Sequence, residues 1–423
     1  MQKLQINRKN GFSESRAIAH EQIRNNHLIQ GAFSQSITAI GNFLIILMLG
    51  HFSTIDTFAK FLLFYAFSQI AISIQTSFLG DYVNIFPNEL FRKYIFIWLL
   101  FFVILAISIN CYLSRKIINQ SGNLILAISL FSLFAGCQEQ ARRSLMSQMK
   151  FIKQAFIDFI YFVVTVLVFI SEDRKSLQEI IWAMAIGNAT SCAYFILSSS
   201  KDIKNATPFL KEKQGMSIVR FGAPRSIIVG MNSFQNAWIK NQLFVTYGTM
   251  SLAIFEITRT LYSPILVAAS GASNALLPKI SLDLRKSDID KYRNQISKYA
   301  IILAGGTLIV TLCLVFVLIP LYKIIFDQKF EISIKLLLIW GIYAVINSAC
   351  IPTLNLISIK SKPQILFFSR LISFGVSTIT CFYILLSKLD IAFVPITYIL
   401  YSIFTIVFVN IFEKNISCKK LSS

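Results

Sequence analysis

The sequence predicts an all-α polytopic membrane protein of about twelve transmembrane helices. Three observations carry that prediction. Of its 423 residues, 55% are hydrophobic and only 14% are charged. A soluble chain of this length needs far more charge to cover its surface. The apolar residues fall in runs of roughly 18 to 25, the length that crosses about 30 Å of hydrocarbon. Phe (38) far outnumbers Trp (4), which fits a lipid-facing wall better than a soluble core.

The runs place spans near 28–50, 58–80, 94–113, 123–140, 155–170, 177–198, 217–238, 251–277, 299–319, 332–359, 363–386 and 391–412. Residues 1–27 are polar and read as a cytoplasmic segment, so the first helix directs insertion and no cleavable signal is expected. The polar connection 201–216 divides the chain into an N-terminal six-helix bundle (28–200) and a C-terminal one (217–412), followed by a cytoplasmic tail (413–423). A six-plus-six plan puts a binding site between the halves near the midplane. A second polar connection, 279–298, reads as a short amphipathic helix at the cytoplasmic surface.

Charge sets the orientation. With the N-terminus inside, 26 of the 40 basic residues fall in cytoplasmic segments and nine outside. That bias supports an even number of helices with both ends cytoplasmic. The formal charge of +20 therefore reads as topology signals and contacts to anionic membrane lipids, not as a nucleic-acid surface. The seven Cys lack paired spacing and read as buried free thiols. His20, His27 and His51 do not form a metal set, so neither metal nor cofactor is expected. No phosphate loop or Ser/His/Asp set is present, and no outer loop is long enough for a catalytic domain, so an enzyme is not expected.

Ionisable residues inside spans are the functional candidates, because each central Arg costs about 2.5–3.5 kcal/mol on insertion scales. The seventh span carries Arg220, Pro224 and Arg225, then Asn232, Gln235, Asn236 and Lys240. At 100° per residue Arg225, Asn232 and Asn236 share one stripe, with Lys240 near its outer end. Arg220 joins them only if Pro224 kinks the helix. This stripe reads as a cationic wall for an anionic substrate, while Arg220 alone reads equally as a snorkelling anchor.

The eighth span places Glu256 and Arg259 on one face, where they form either a structural pair or a site. Pro264 and Gly271 give it hinge positions. Arg370, in the eleventh span, is a luminal cation or an anchor. Glu139 with Arg142 and Arg143 reads as interfacial salt bridges at the end of span four. Asp158, in span five, either carries a coupling ion or pairs with Arg142 or Lys150; Glu256 is the other candidate coupling acid.

Together, Leu49-Gly50 through Asp56, Phe58 and Ala59, then Gln138-Glu139-Gln140 with Arg142-Arg143, Phe221-Gly222-Ala223-Pro224, and Ala275 to Pro278 and Ser281 form a recognisable order. In that layout the chain resembles the polysaccharide-transporter (O-antigen flippase) branch of the multidrug/oligosaccharidyl-lipid/polysaccharide exporter superfamily. The resemblance implies two six-helix bundles arranged as a V around a central lumen. It also implies flipping of undecaprenyl-pyrophosphate-linked oligosaccharide units across a bacterial inner membrane by alternating access. The pyrophosphate would be held by Arg, and polysaccharide polymerase and chain-length machinery would act alongside. Span one contains no acid, which departs from the drug-exporting branch. Two other readings remain: a drug/cation antiporter of the same fold, and a membrane polymerase or ligase of polysaccharide assembly.

Overall fold

The computed structural model describes residue 30 and residues 33–80, 93–118, 122–148, 150–171, 176–199, 213–284, 289–326, 330–331, 333–359 and 363–421. Described residues are helical except for short turns and connections, and contain no strand. This is what a bilayer requires, since each backbone N–H and C=O must be satisfied within its own segment.

The helices are α1 (Phe33–Phe52), α2 (Ile55–Gln75) with a π-helical turn Thr76–Gly80 at its end, α3 (Lys93–Ile118), α4 (Gly122–Ser147), α5 (Phe151–Ser171) and α6 (Leu177–Ser198). A continuous helical stretch Lys213–Leu284 breaks only at Gly248, giving α7 (213–247) and α8 (249–284). Then come α9 (Ile289–Phe326), α10 (Ile334–Ile359), α11 (Pro363–Leu386), a 3-10 turn Ile391–Phe393, and α12 (Ile396–Leu421). Among the described residues ten stretches are long and apolar enough to cross a membrane. One of them, Gly222–Ser270, is a double-length hairpin, and Ile97–Tyr112 is a shorter apolar helix. The chain is thus a multi-pass membrane protein, and the twelve helices among its described residues match the number expected from the sequence.

Three boundaries differ from the sequence expectation. Residues 239–250, read as a polar outer connection, are helical, and the chain reverses at Gly248 alone. Its φ of 85° and ψ of −178° lie in a region open essentially to glycine. α4 continues to Ser147, seven residues past the expected end, which carries Arg142 and Arg143 inside the helix. The expected surface helix over 279–298 is absent as a separate element: α8 runs to Leu284 and α9 starts at Ile289.

Packing is organised around α2. One apolar core joins Ile45 and Leu49 of α1, Phe58, Phe61 and Leu62 of α2, Phe131 of α4, Phe169 of α5 and Ile181 of α6, and it takes in Ala253 and Ile257 of α8. A second core joins α7, α8, α10 and α11 around Phe255, Tyr262 and Trp340, and it takes in Ala59 and Leu63 of α2. Toward the other end of α2, Gly230 sits against Ile74 and Gly222 against Phe78. A Cβ on Gly222 would lie 2.7 Å from the Phe78 carbonyl oxygen, so glycine there lets the two backbones touch.

Around these cores the outward faces are apolar. Ile301, Ile309, Phe316, Phe382 and Leu386 are exposed, as expected of side chains that meet lipid rather than water. Polar side chains turn inward instead. Asn110 of α3 links Ser68 of α2 (3.2 Å) to Ser132 of α4 (2.7 Å), and the Gln75 amide donates to the Gly136 carbonyl at 2.8 Å. Such contacts join helices where lipid offers no hydrophobic drive to do so.

Candidate functional site

Two buried charge clusters stand out, one in each half of the sequence. The first is built on α4, α5 and α1. Arg142 reaches three partners at once. Its Nε lies 2.9 Å from Asp158 Oδ1, its NH1 lies 2.6 Å from Glu139 Oε2, and its NH2 donates to Thr38 Oγ1 at 3.2 Å. Thr38 also donates to Asp158 Oδ2, and Arg143 Nε holds the other Glu139 oxygen at 3.0 Å. The Arg142 fork thus ties two carboxylates on two helices through bonds that one ammonium could not reproduce.

These groups line a cavity of about 130 Å³, together with Asn42, Tyr65, Gln69 and Asn188. A drug-sized molecule needs roughly 300–1,000 Å³, so this cavity suits water or a small ion. Asp158 pairs with Arg142, the first of the two partners that the sequence offers. The salt bridges of Glu139 with Arg142 and Arg143 that the sequence predicts are present, and Glu139 and Arg142 also line this cavity.

The second cluster closes the α7–α8 hairpin. Lys240 Nζ lies 2.8 Å from Glu256 Oε2, and both side chains are nearly sealed, at 2% and 1% exposure. Arg259 grips the same carboxylate through Nε–Oε1 at 3.1 Å and NH2–Oε2 at 3.0 Å. The Glu256–Arg259 pair follows from the sequence spacing. The burial of Lys240 does not: this residue, placed at an outer end of the polar stripe, is an interior partner of Glu256.

The remaining stripe residues also find partners. Asn232 accepts from Tyr401 and Asn236 accepts from Tyr398 at 2.9 Å, both tyrosines on α12. Gln235 donates to Ser377 of α11. The stripe therefore forms a polar seam that fastens α7 to α11 and α12. The Tyr398 ring in turn lies 5.4 Å from Trp340 and 5.8 Å from Tyr343. Arg225 and Arg370 are half-buried, and Arg370 Nε is buried with no hydrogen-bond partner among the described residues. The backbone stays helical through Pro224 and Pro264. The surroundings of Arg220 and Gly271 lie outside the described residues. Among those that are described, no group of His, Cys, Asp and Glu could hold a metal ion.

Tyr65, Gln69 and Asn188 of the first cavity, and Tyr398 and Tyr401 of the α7 seam, were not foreseen. Gln69 carried a signal, as a polar residue within an apolar helix. The tyrosines carried none, because their role depends on how α12 lies against α7.

No protein-family model matches the chain, and no curated protein matches it significantly. Solved structures do match its fold. An outward-facing multidrug resistance MATE family transporter of the MOP superfamily aligns with a TM-score of 0.63 at 12% identity, over 95% of this chain and 97% of that one. The eukaryotic MATE transporter AtDTX14 aligns with a TM-score of 0.61 at 11% identity, over 92% and 95%. A MOP superfamily transporter from Pyrococcus furiosus, described as having a binding pocket of reversed polarity, aligns with a TM-score of 0.59 at 14% identity, over 94% and 97%. The chain therefore has the fold of the MATE transporters over more than nine-tenths of its length.

Proposed function

We propose that the protein is a secondary transporter of the MOP superfamily that exports an organic cargo by alternating access, in exchange for an ion taken up in the first-half cavity. The observation that carries this reading is the Glu139–Arg142–Asp158 array, which lines an ion-sized cavity within a transporter fold. Protonating Asp158 would remove one of the two carboxylates held by Arg142. The guanidinium would then rest on Glu139 alone and the α4–α5 contact would weaken. That is a change in helix packing written by one ion, which is what coupling requires.

The drug-antiporter form of this reading has the more direct support, since one structure that shares the fold is described as a multidrug resistance transporter. A lipid-linked oligosaccharide flippase is the second reading, and one observation favours it. In the second half Lys240 and Arg259 share the single carboxylate of Glu256, while half-buried Arg370 adds a cation whose Nε has no hydrogen-bond partner among the described residues. That surplus suits an anionic cargo such as a pyrophosphate. The reversed pocket polarity described for the Pyrococcus furiosus protein supports the idea that this fold can carry cargo of either sign. In both forms the lysine and arginine bias supports an inner-membrane protein with cytoplasmic termini, and the connection 201–216 supports two six-helix bundles.

The test is reconstitution of the purified chain in proteoliposomes under an imposed pH gradient. Tetraphenylphosphonium uptake that Asp158→Asn abolishes is expected for an antiporter. Deletion of the gene in its host, with surface glycan and undecaprenyl-linked units assigned to a leaflet, tests the flippase. Single units trapped on the inner leaflet, rescued by wild type and not by Arg225→Ala, would decide for that form. Absence of both transport activities would overturn the proposal.

A further inference from the structure

Below Asp158 the α1–α5 seam contains two polar side chains that the charge cluster does not use. Gln154 and Ser34 are fully buried, at 0% exposure each. The Ser34 hydroxyl oxygen and both polar atoms of the Gln154 amide have no hydrogen-bond partner among the described residues. A buried, unsatisfied polar atom costs about 1–3 kcal/mol, so three of them on one seam call for an occupant.

The register says where they sit. α1 and α5 run parallel, because Gly41 lies against Phe162 and Thr38 bonds Asp158. Stepping back one turn on both helices brings Ser34 level with Gln154. A further turn brings Gln30 level with Lys150, a half-buried pair at the helix ends. One helical turn is about 5.4 Å, which a single water bonded on both sides spans at about 2.8 Å per bond.

We propose that Ser34 and Gln154 hold a file of water that connects Asp158 to the membrane face at the Gln30–Lys150 end of the seam and carries the coupling proton. Gln154 Nε2 donates to one water and Oε1 accepts from the next, so the amide orients the file without changing its own protonation. The Ser34 hydroxyl accepts a proton from one water while giving its own to the next. Each step breaks one O–H bond and forms another. The net result is one proton taken from the bulk and one O–H bond formed at Asp158.

Around the receiving carboxylate stand Arg142 and Glu139 from α4, Thr38 from α1, Tyr65 from α2 and Tyr161 from α5 itself. Arg142 holds Asp158 Oδ1 on the α4 side. Lys153, near the seam's mouth, is turned toward the Ser198 carbonyl at 3.5 Å on α6 and does not block the file.

This proposal rests on Asp158 being the coupling acid, and the experiment separates the two ideas. Purified protein is subjected to a rapid pH drop while the infrared carbonyl band of protonated Asp158 is followed, the band being assigned by its loss in Asp158→Asn. Gln154→Met and Ser34→Ala are expected to slow the band's rise about tenfold at unchanged final amplitude. Gln154→Asn and Ser34→Thr, which keep the polar atoms, are expected to stay near the wild-type rate. Thermal stability of Gln154→Met should stay near that of the wild type, since methionine fills a similar volume, so slowing at unchanged stability cannot come from loosened packing. A band that rises equally fast in Gln154→Met and Ser34→Ala overturns the file and leaves the coupling acid standing. Loss of sodium-22 uptake with proton kinetics intact also overturns it, by making the seam a sodium site. Absence of any band that Asp158→Asn removes overturns both ideas.

Discussion

Lys240 and Glu256 stand eight residues to either side of Gly248 and meet at 2.8 Å in the interior of the α7–α8 hairpin. The pair marks the register of two antiparallel helices about a single reversing residue. Arg259, one turn beyond on α8, makes the carboxylate a shared acceptor. Substitutions at the two residues of the pair are therefore not equivalent. Glu256→Gln strands the sealed Lys240 beside the half-buried Arg259 and should destabilise by roughly 3–5 kcal/mol, whereas Lys240→Met leaves Glu256 its bidentate Arg259 and should cost less. Thermal unfolding in detergent checks the order, and equal losses would contradict it.

Arg142→Lys should behave nearly like Arg142→Ala in transport. An ammonium cannot hold Asp158, Glu139 and Thr38 in the directions that the guanidinium fork reaches. Both variants should lower proteoliposome transport at least about tenfold at matched protein levels. A fully active lysine variant would show that charge alone suffices in the first cavity.

Gly222 and Gly230 both lie against α2, but what they touch differs. A methyl group on Gly222 meets the Phe78 backbone, whereas on Gly230 it meets the Ile74 side chain, 2.9 Å from Cγ1 and 3.2 Å from Cδ1. A side chain can shift and a backbone cannot do so cheaply. Gly222→Ala should therefore cost about 1–3 kcal/mol by overpacking, and Gly230→Ala less.

Gly248→Ala meets no atom within 4 Å, yet it should destabilise by about 1–3 kcal/mol through backbone strain alone. Gly305→Ala, a residue in mid-helix that also has open space beside it, should be neutral or mildly stabilising. Measuring the two together isolates the dihedral cost. Equal behaviour would show that the reversal does not need glycine.

Most of the helices were legible because crossing a bilayer demands long apolar runs, and length plus apolarity is written residue by residue. What escaped was set by pairs far apart in sequence. Lys240, Asn241 and Gln242 look like loop, and only the opposite carboxylate at Glu256 makes an interior lysine tolerable. The Glu139–Arg142 spacing is visible on one helix, but Asp158 completes the array only once α4 and α5 have a register. Asn232 and Asn236 fall on one stripe, as the 100° rule requires. That this stripe fastens α7 to Tyr398 and Tyr401 depends on the placement of α12, which no local pattern encodes.

α2 contributes Phe58 and Leu62 to one core and Ala59 and Leu63 to the other, so adjacent residues on it answer to different neighbours. The two halves of this chain are consequently not interchangeable parts. A graft that joined its second half to the first half of another protein would have to carry one flank of α2 with it. Sequence drift along that helix is likewise bound on two sides, so changes at 59 and 63 call for matching changes beyond residue 236, on the far side of the central connection.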